Sequence, residues 1–101
     1  MLSIFKSFFK PSVDIVKLIR EGAIIIDVRS KSEFDSGHIK GSKNIPLDKF
    51  ITEIPNLKKL NKPIITVCRS GNRSSIAKSQ LTSKGIEAYN GGAWIRLNKQ
   101  I

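Results

Sequence analysis

The sequence predicts an α/β domain built on a parallel sheet, and three observations carry that expectation. Residues 23–28 (AIIIDV) and 64–67 (IITV) are apolar, β-branched runs of the kind buried on both faces of a parallel sheet. Stretches of helical spacing lie between and after them. The second run ends in a polar stretch, residues 68–74 (CRSGNRS), which leads directly into helix-like sequence. Ligand sites of open parallel sheets lie beyond the carboxyl ends of the strands, and Cys68 falls at such an end.

The elements follow in order. After Pro11, Ser12 reads as the N-cap of a short helix to about Arg20, with Val13, Val16 or Ile15, and Ile19 on its apolar face. Glu21 and Gly22 stop it before the first strand. Residues 31–36 suit a single helical turn ended by Gly37. Gly41 marks a turn, and a short extended piece at residues 44–45 is closed by Pro46. Residues 47–60 place Phe50, Ile51, Ile54, Leu57 and Leu60 at helical spacing. Pro55 has no N–H to donate within a helix, so two short helices are expected there. Pro63 opens the second strand. Arg73 or Ser74 through Lys84 is the best helix candidate, with Gly85 at C′. Residues 86–89 read as a short strand, Asn90, Gly91 and Gly92 as a turn, and residues 93–97 as a last helical or irregular piece.

A chain of 101 residues is enough for one small domain, and 40% apolar residues supply its core. A single cysteine excludes an intramolecular disulfide, and one Cys with one His (His38) cannot close a four-ligand zinc shell. A lone free thiol fits a reducing, cytoplasmic setting. The net charge of +10 is uneven: residues 1–50 hold nine Lys/Arg against six Asp/Glu, and residues 51–101 hold nine against two. The surplus lies in the half containing Cys68, where it would draw small anions; the plainer alternative is a solvated, lysine-rich surface. The basic residues are scattered and aromatics few, with no helix-turn-helix, zinc-finger or RNA-binding signature, so no nucleic-acid partner is expected. Residues 1–10 (MLSIFKSFFK) are too short for a membrane span and lack the pattern of a signal peptide, so no stable membrane insertion is expected either.

Three motifs then fall in one order. They are Asp27-Val28-Arg29 with Glu33-Phe34, residues 37–41 (GHIKG) and Asn44-Ile45-Pro46; the loop from Cys68 to Ser74; and Gly91-Gly92 followed by Trp94. In order and spacing they resemble the signatures of the rhodanese-type single-domain sulfurtransferases. The resemblance covers residues 23–97. It implies a three-layer α/β fold with a central, mostly parallel sheet flanked by helices, residues 12–101 forming one rhodanese domain and residues 1–11 an N-terminal extension. It also implies transfer of a sulfane sulfur through a cysteine persulfide, with no cofactor.

Read as chemistry, Cys68 is the nucleophile, because sulfur transfer needs a soft thiolate that can retain a second sulfur. Backbone N–H groups of residues 69–73 are placed to stabilise the resulting anion, and Gly71 permits the tight loop. Arg73 is expected to fold back on the loop or donate to it, as the matching family arginine does. Arg69 is placed to attract an anionic donor, or else simply faces solvent. Ser70, Asn72 and Ser74 offer polar donors or helix capping. The donor would be thiosulfate or a persulfide, and the acceptor a thiol such as glutathione or a thioredoxin-like protein, or cyanide in an assay. Asp27, Arg29 and Glu33 are assigned to the scaffold rather than to substrate, His38 to a structural position, and Trp94 and Tyr89 to core or pocket wall. Two rivals stand beside this reading. A cysteine phosphatase would have five residues between Cys and Arg, where this chain has four, Arg69 to Asn72, and a histidine where Val67 stands. A sulfur-carrier or regulatory module for a protein partner would use the same fold.

Overall fold

The computed structural model describes residues 13–101. Helix α1 (Ile15–Arg20) starts at Asp14, whose carboxylate accepts the Lys17 N–H at 3.0 Å. Asp14 therefore caps this helix; the expected cap, Ser12, lies outside the described residues. Val13 precedes the cap and is exposed, so the stripe facing the core is Ile15, Leu18 and Ile19, all half-buried. Strand β1 (Ile24–Asp27) is followed by α2 (Lys31–Ser36), which opens on a capping box: Ser30 Oγ accepts the Glu33 N–H, and the Glu33 carboxylate accepts the Ser30 N–H. Strand β2 is only Lys43–Asn44.

Helix α3 runs unbroken from Leu47 to Lys59 with Pro55 inside it, where two helices were expected. The carbonyl that Pro55 leaves without a donor belongs to Ile51, which is 61% exposed, so solvent can satisfy it. Across the helix, Phe50, Ile54 and Leu57 are buried. Each such side chain is worth about 1.5–3 kcal/mol, and together they outweigh the roughly 3 kcal/mol that an interior proline costs.

Strand β3 (Ile64–Cys68) leads into α4 (Asn72–Ser83). The end of α4 is a Schellman motif: Gly85 N–H donates to Thr82 O, Ile86 N–H donates to Leu81 O, and the Leu81 and Ile86 side chains share one apolar cluster. Strand β4 (Ala88–Ala93) and α5 (Trp94–Asn98) complete the chain.

The strands form one parallel sheet in the order β2-β1-β3-β4. From β1 the chain first adds β2 on one side and then β3 and β4 on the other. The switch point therefore lies at the carboxyl ends of β1 and β3. Alternation along the strands divides the core in two. Ile26, Ile64 and Cys68 meet Phe50, Ile54 and Leu57 of α3 and Ala77 and Leu81 of α4, whereas Ile25, Ile65 and Val67 meet Leu97 of α5 and the half-buried stripe of α1. The result is three layers, helix–sheet–helix.

Asn90, Gly91 and Gly92 do not form the expected turn; they continue β4. Thr66 pairs with Asn90 and Val67 with Gly92, leaving Gly91 as the extra residue of a bulge. A Cβ at Gly91 would lie 2.8 Å from Ile65 Cγ2, 2.9 Å from Val67 Cγ1 and 3.1 Å from Thr66 O. The glycine is there because β3 passes too close for any side chain.

Candidate active site

Cys68 ends β3 on the face that carries α4, and its sulfur sits at the start of that helix. Gly71, at φ +101°, turns the chain into α4. This left-handed conformation suits glycine and aims its N–H at Sγ, 3.0 Å away. The Ser74 N–H lies 3.4 Å from Sγ and the Ser74 Oγ 3.3 Å. Thr66, two residues before Cys68 on the same strand face, donates from Oγ1 to Ser74 O at 2.8 Å and ties the first turn of α4 to β3.

Cys68 is 1% exposed and is backed by the apolar cluster beneath α3 and α4. Burial pushes the thiol pKa up. The hydrogen bonds that the thiolate can accept from the Ser74 hydroxyl and N–H, and from the Gly71 and Ser70 N–H groups, outweigh it and hold the thiol below its ordinary value. The loop is thus closed around the sulfur, and its donors favour the thiolate.

The remaining loop residues divide by exposure. Arg69, Ser70 and Asn72 are exposed, while Ser74 is fully buried. Arg73 does not fold back on the loop as expected. Its guanidinium forms a bidentate pair with Glu33, Nη1 to Oε1 at 2.8 Å and Nη2 to Oε2 at 3.0 Å. The capping box explains the choice, because it already fixes the Glu33 carboxylate on Ser30 where a planar fork can reach both oxygens. The hydrogen bonds from Arg73 and then from the Ser30 N–H bring the Glu33 carboxyl down to about 2.

Asp27 and Arg29 serve the scaffold. Both are buried, and Arg29 holds the Asp27 carboxylate through Nε (3.0 Å to each oxygen) and Nη2 (2.8 Å). It also donates to Glu33 O and Gly37 O and lies over the Trp94 ring, 4.6 Å from its centroid. The pairing and the filled hydrogen bonds offset the desolvation penalty of burying both charges. His38 stacks on Phe34 and donates from Nδ1 to the Phe34 carbonyl at 2.7 Å, a structural position. Tyr89 donates its hydroxyl to Glu87.

The sequence reading missed Asn90, whose amide touches the loop at Gly71 O and Ser74 Oγ. No local signal separates an Asn before two glycines in a turn from one beside a bulge. A cleft of about 560 Å3 opens between α2, β2 and α3, lined by Phe34, Ile45, Pro46 and Lys49 among others, and no loop residue lines it. Chemistry rather than volume marks the site.

The family model of the rhodanese-like domain matches residues 13–93. The chain belongs to the rhodanese-like domain family. It is 39% identical over 69 residues to YqhL, an uncharacterized protein of Bacillus subtilis, covering 67% of this chain and 54% of YqhL. It is 36% identical over 72 residues to the thiosulfate sulfurtransferase GlpE of Pseudomonas syringae, covering 68% of this chain and 64% of GlpE. The chain thus spans between half and two thirds of the length of these two relatives. Among solved structures, the human single-domain sulfurtransferase TSTD1 superposes with a TM-score of 0.66 at 27% identity, covering 88% of this chain and 96% of TSTD1. Among the described residues, no helix is long and apolar enough to cross a membrane.

Proposed function

We propose that the protein is a sulfurtransferase that carries a sulfane sulfur on Cys68. The observation that carries this reading is the convergence of Gly71 N–H, Ser74 N–H and the Ser74 hydroxyl on one sulfur at the start of a helix. The Cys68 thiolate attacks the outer sulfur of thiosulfate, the S–S bond of the donor breaks, and sulfite leaves with that bond's electron pair. Cys68 is left as a persulfide anion. An acceptor thiolate, or cyanide in an assay, attacks the terminal sulfur, and the electron pair of the breaking bond restores the Cys68 thiolate. A low-molecular-weight or protein persulfide can replace thiosulfate, with a thiol leaving instead of sulfite. Glutathione and a thioredoxin-like protein are the classes of thiol acceptor this chemistry admits. Arg69, exposed beside the cradle, supplies the charge that draws in an anionic donor, and Ser70, Gly71, Asn72 and Ser74 shape the loop that receives it.

The position of Arg73 supports this reading over phosphate chemistry. A cysteine phosphatase needs its loop arginine at the anion, whereas Arg73 is engaged with Glu33. Arg73 acts on the loop by pinning it to α2. Mass spectrometry after incubation with thiosulfate tests the proposal: Cys68 gains the mass of one sulfur atom, and cyanide removes it. No adduct in the native protein, or the same adduct in Cys68→Ser, would overturn it.

A further inference from the structure

Asn90 lies 16 residues beyond the loop, yet its carboxamide meets the loop at two points. The orientation of that amide follows from its partners. The Gly92 N–H needs an acceptor and finds Oδ1 at 2.9 Å, and the Gly71 carbonyl can only accept and faces Nδ2 at 3.1 Å. Oδ1 therefore also faces Ser74, and the Ser74 hydroxyl donates to it at 2.7 Å.

A hydroxyl has one proton. While Asn90 holds it, Ser74 offers Sγ only a lone pair, which suits an S–H donor across the 3.3 Å contact. A thiolate or persulfide has no proton to give, so the same arrangement sets lone pair against anion. The hydroxyl must then turn to the sulfur, and Oδ1 keeps the Gly92 N–H, with the exposed Asn90 open to water. Ser74 is fully buried, so water does not offer the hydroxyl a third partner.

We propose that Asn90 is a positioning residue for Cys68, acting through Ser74: it holds the Ser74 proton while the sulfur is a thiol and releases it when the sulfur is an anion. The thiol proton itself leaves to solvent, and no proton reaches Asn90. Asn90 thereby opposes ionisation, and the loop N–H groups favour it. The persulfide form of the switch rests on the sulfur-transfer reading above; the thiol–thiolate form does not.

The charged groups around the cradle are Arg69 of the loop itself, exposed to solvent, Arg73 on α4 with its partner Glu33 on α2, and the mutually bonded Asp27 and Arg29 at the end of β1. The buried face of α3 beneath Cys68 is apolar, and the only titratable residue of β4, Tyr89, is bonded to Glu87. Asn90 is the one polar group of β4 that reaches Ser74.

The test is the rate at which iodoacetamide alkylates Cys68 as a function of pH, in the full chain, which requires no sulfur transfer. Asn90→Asp keeps the acceptor for Ser74 and Gly92 and strengthens its hold on the hydroxyl, while the Gly71 carbonyl loses its Nδ2 donor, a loss common to both backgrounds compared below. The alkylation midpoint should rise by about one pH unit, a roughly tenfold slower reaction at neutral pH. Making the same change in a Ser74→Ala background separates the hydroxyl from the bare charge: there the shift should fall to less than half. An unmoved midpoint in Asn90→Asp overturns the proposal, and so does an equal shift in both backgrounds. Should Asn90→Asp fail to fold, Asn90→Leu carries the test with the opposite sign. With no amide to take its proton, Ser74 stays on the sulfur and the midpoint falls; an unchanged or raised midpoint overturns the proposal. A residue that only supported the β4 bulge would alter the melting temperature and leave these midpoints in place.

Discussion

Gly91→Ala tests whether the close approach of β4 to β3 is a packing requirement. The added methyl would sit 2.8 Å from Ile65 Cγ2, 2.9 Å from Val67 Cγ1 and 3.1 Å from Thr66 O. Two of these atoms are methyls of buried, β-branched side chains, stiff at χ1, and the third is backbone of a central strand, so none yields cheaply. Overpacking of this kind costs about 1–3 kcal/mol. Taking about 2 kcal/mol, a domain of this size should melt roughly 8–16 °C lower. Gly92→Ala makes a useful contrast, because a Cβ there meets no atom within 4 Å and the penalty is the backbone's alone, from φ +78°; about 1–2 kcal/mol is expected. Thermal melts followed by circular dichroism measure both. The Gly91 variant should also react faster with bulky thiol reagents, because displacing β4 draws Asn90 off the loop. A melting temperature for Gly91→Ala within about 2 °C of the parent would refute the packing argument.

Three further outcomes follow from the site. Arg29→Ala leaves the buried Asp27 carboxylate without its partner and should cost about 3–5 kcal/mol, read as a lower urea midpoint; a loss under about 1 kcal/mol would show that the carboxylate finds solvent. Glu33→Gln should remove up to about 1 kcal/mol at neutral pH, a modest amount because the pair is partly open to water. The folded Glu33 carboxyl lies near 2 against an ordinary 4.5, so its contribution is complete above about 4.5 and lost as pH falls toward 2. The melting temperatures of parent and variant should converge over that range, and a gap that persists at pH 2 would contradict this assignment. Alkylation of native Cys68 should show a midpoint below about 8.5, the value of a free thiol; a midpoint above it would mean that burial outweighs the loop donors.

What the sequence disclosed was what depends on neighbours in the chain. The β-branched runs of β1 and β3, the Gly85 stop and the turn of Gly71 are local signals, and each placed its element to within a residue or two. The position of Cys68 at the end of β3 was legible for the same reason, since strand, loop and helix follow one another without interruption. Pro55 misled because a helix cost that is local was offset by burial of Phe50, Ile54 and Leu57, which is tertiary. Gly91 and Gly92 misled because glycine serves equally where a chain turns and where two strands crowd. The destination of Arg73 was hidden by the 40 residues separating it from Glu33. Nothing near Arg73 in sequence announces a carboxylate already fixed by its own helix cap.

The bulge at Gly91 has a bearing on how copies of the molecule meet one another. Among the described residues, β4 is one margin of the sheet and β2 the other. A strand of two residues is too short to recruit a second chain, and one interrupted by an unpaired glycine holds its peptide groups out of the even spacing that strand addition needs. The crowding that brings β4 to the sulfur thus also makes the sheet a poor seed for intermolecular β-stacking.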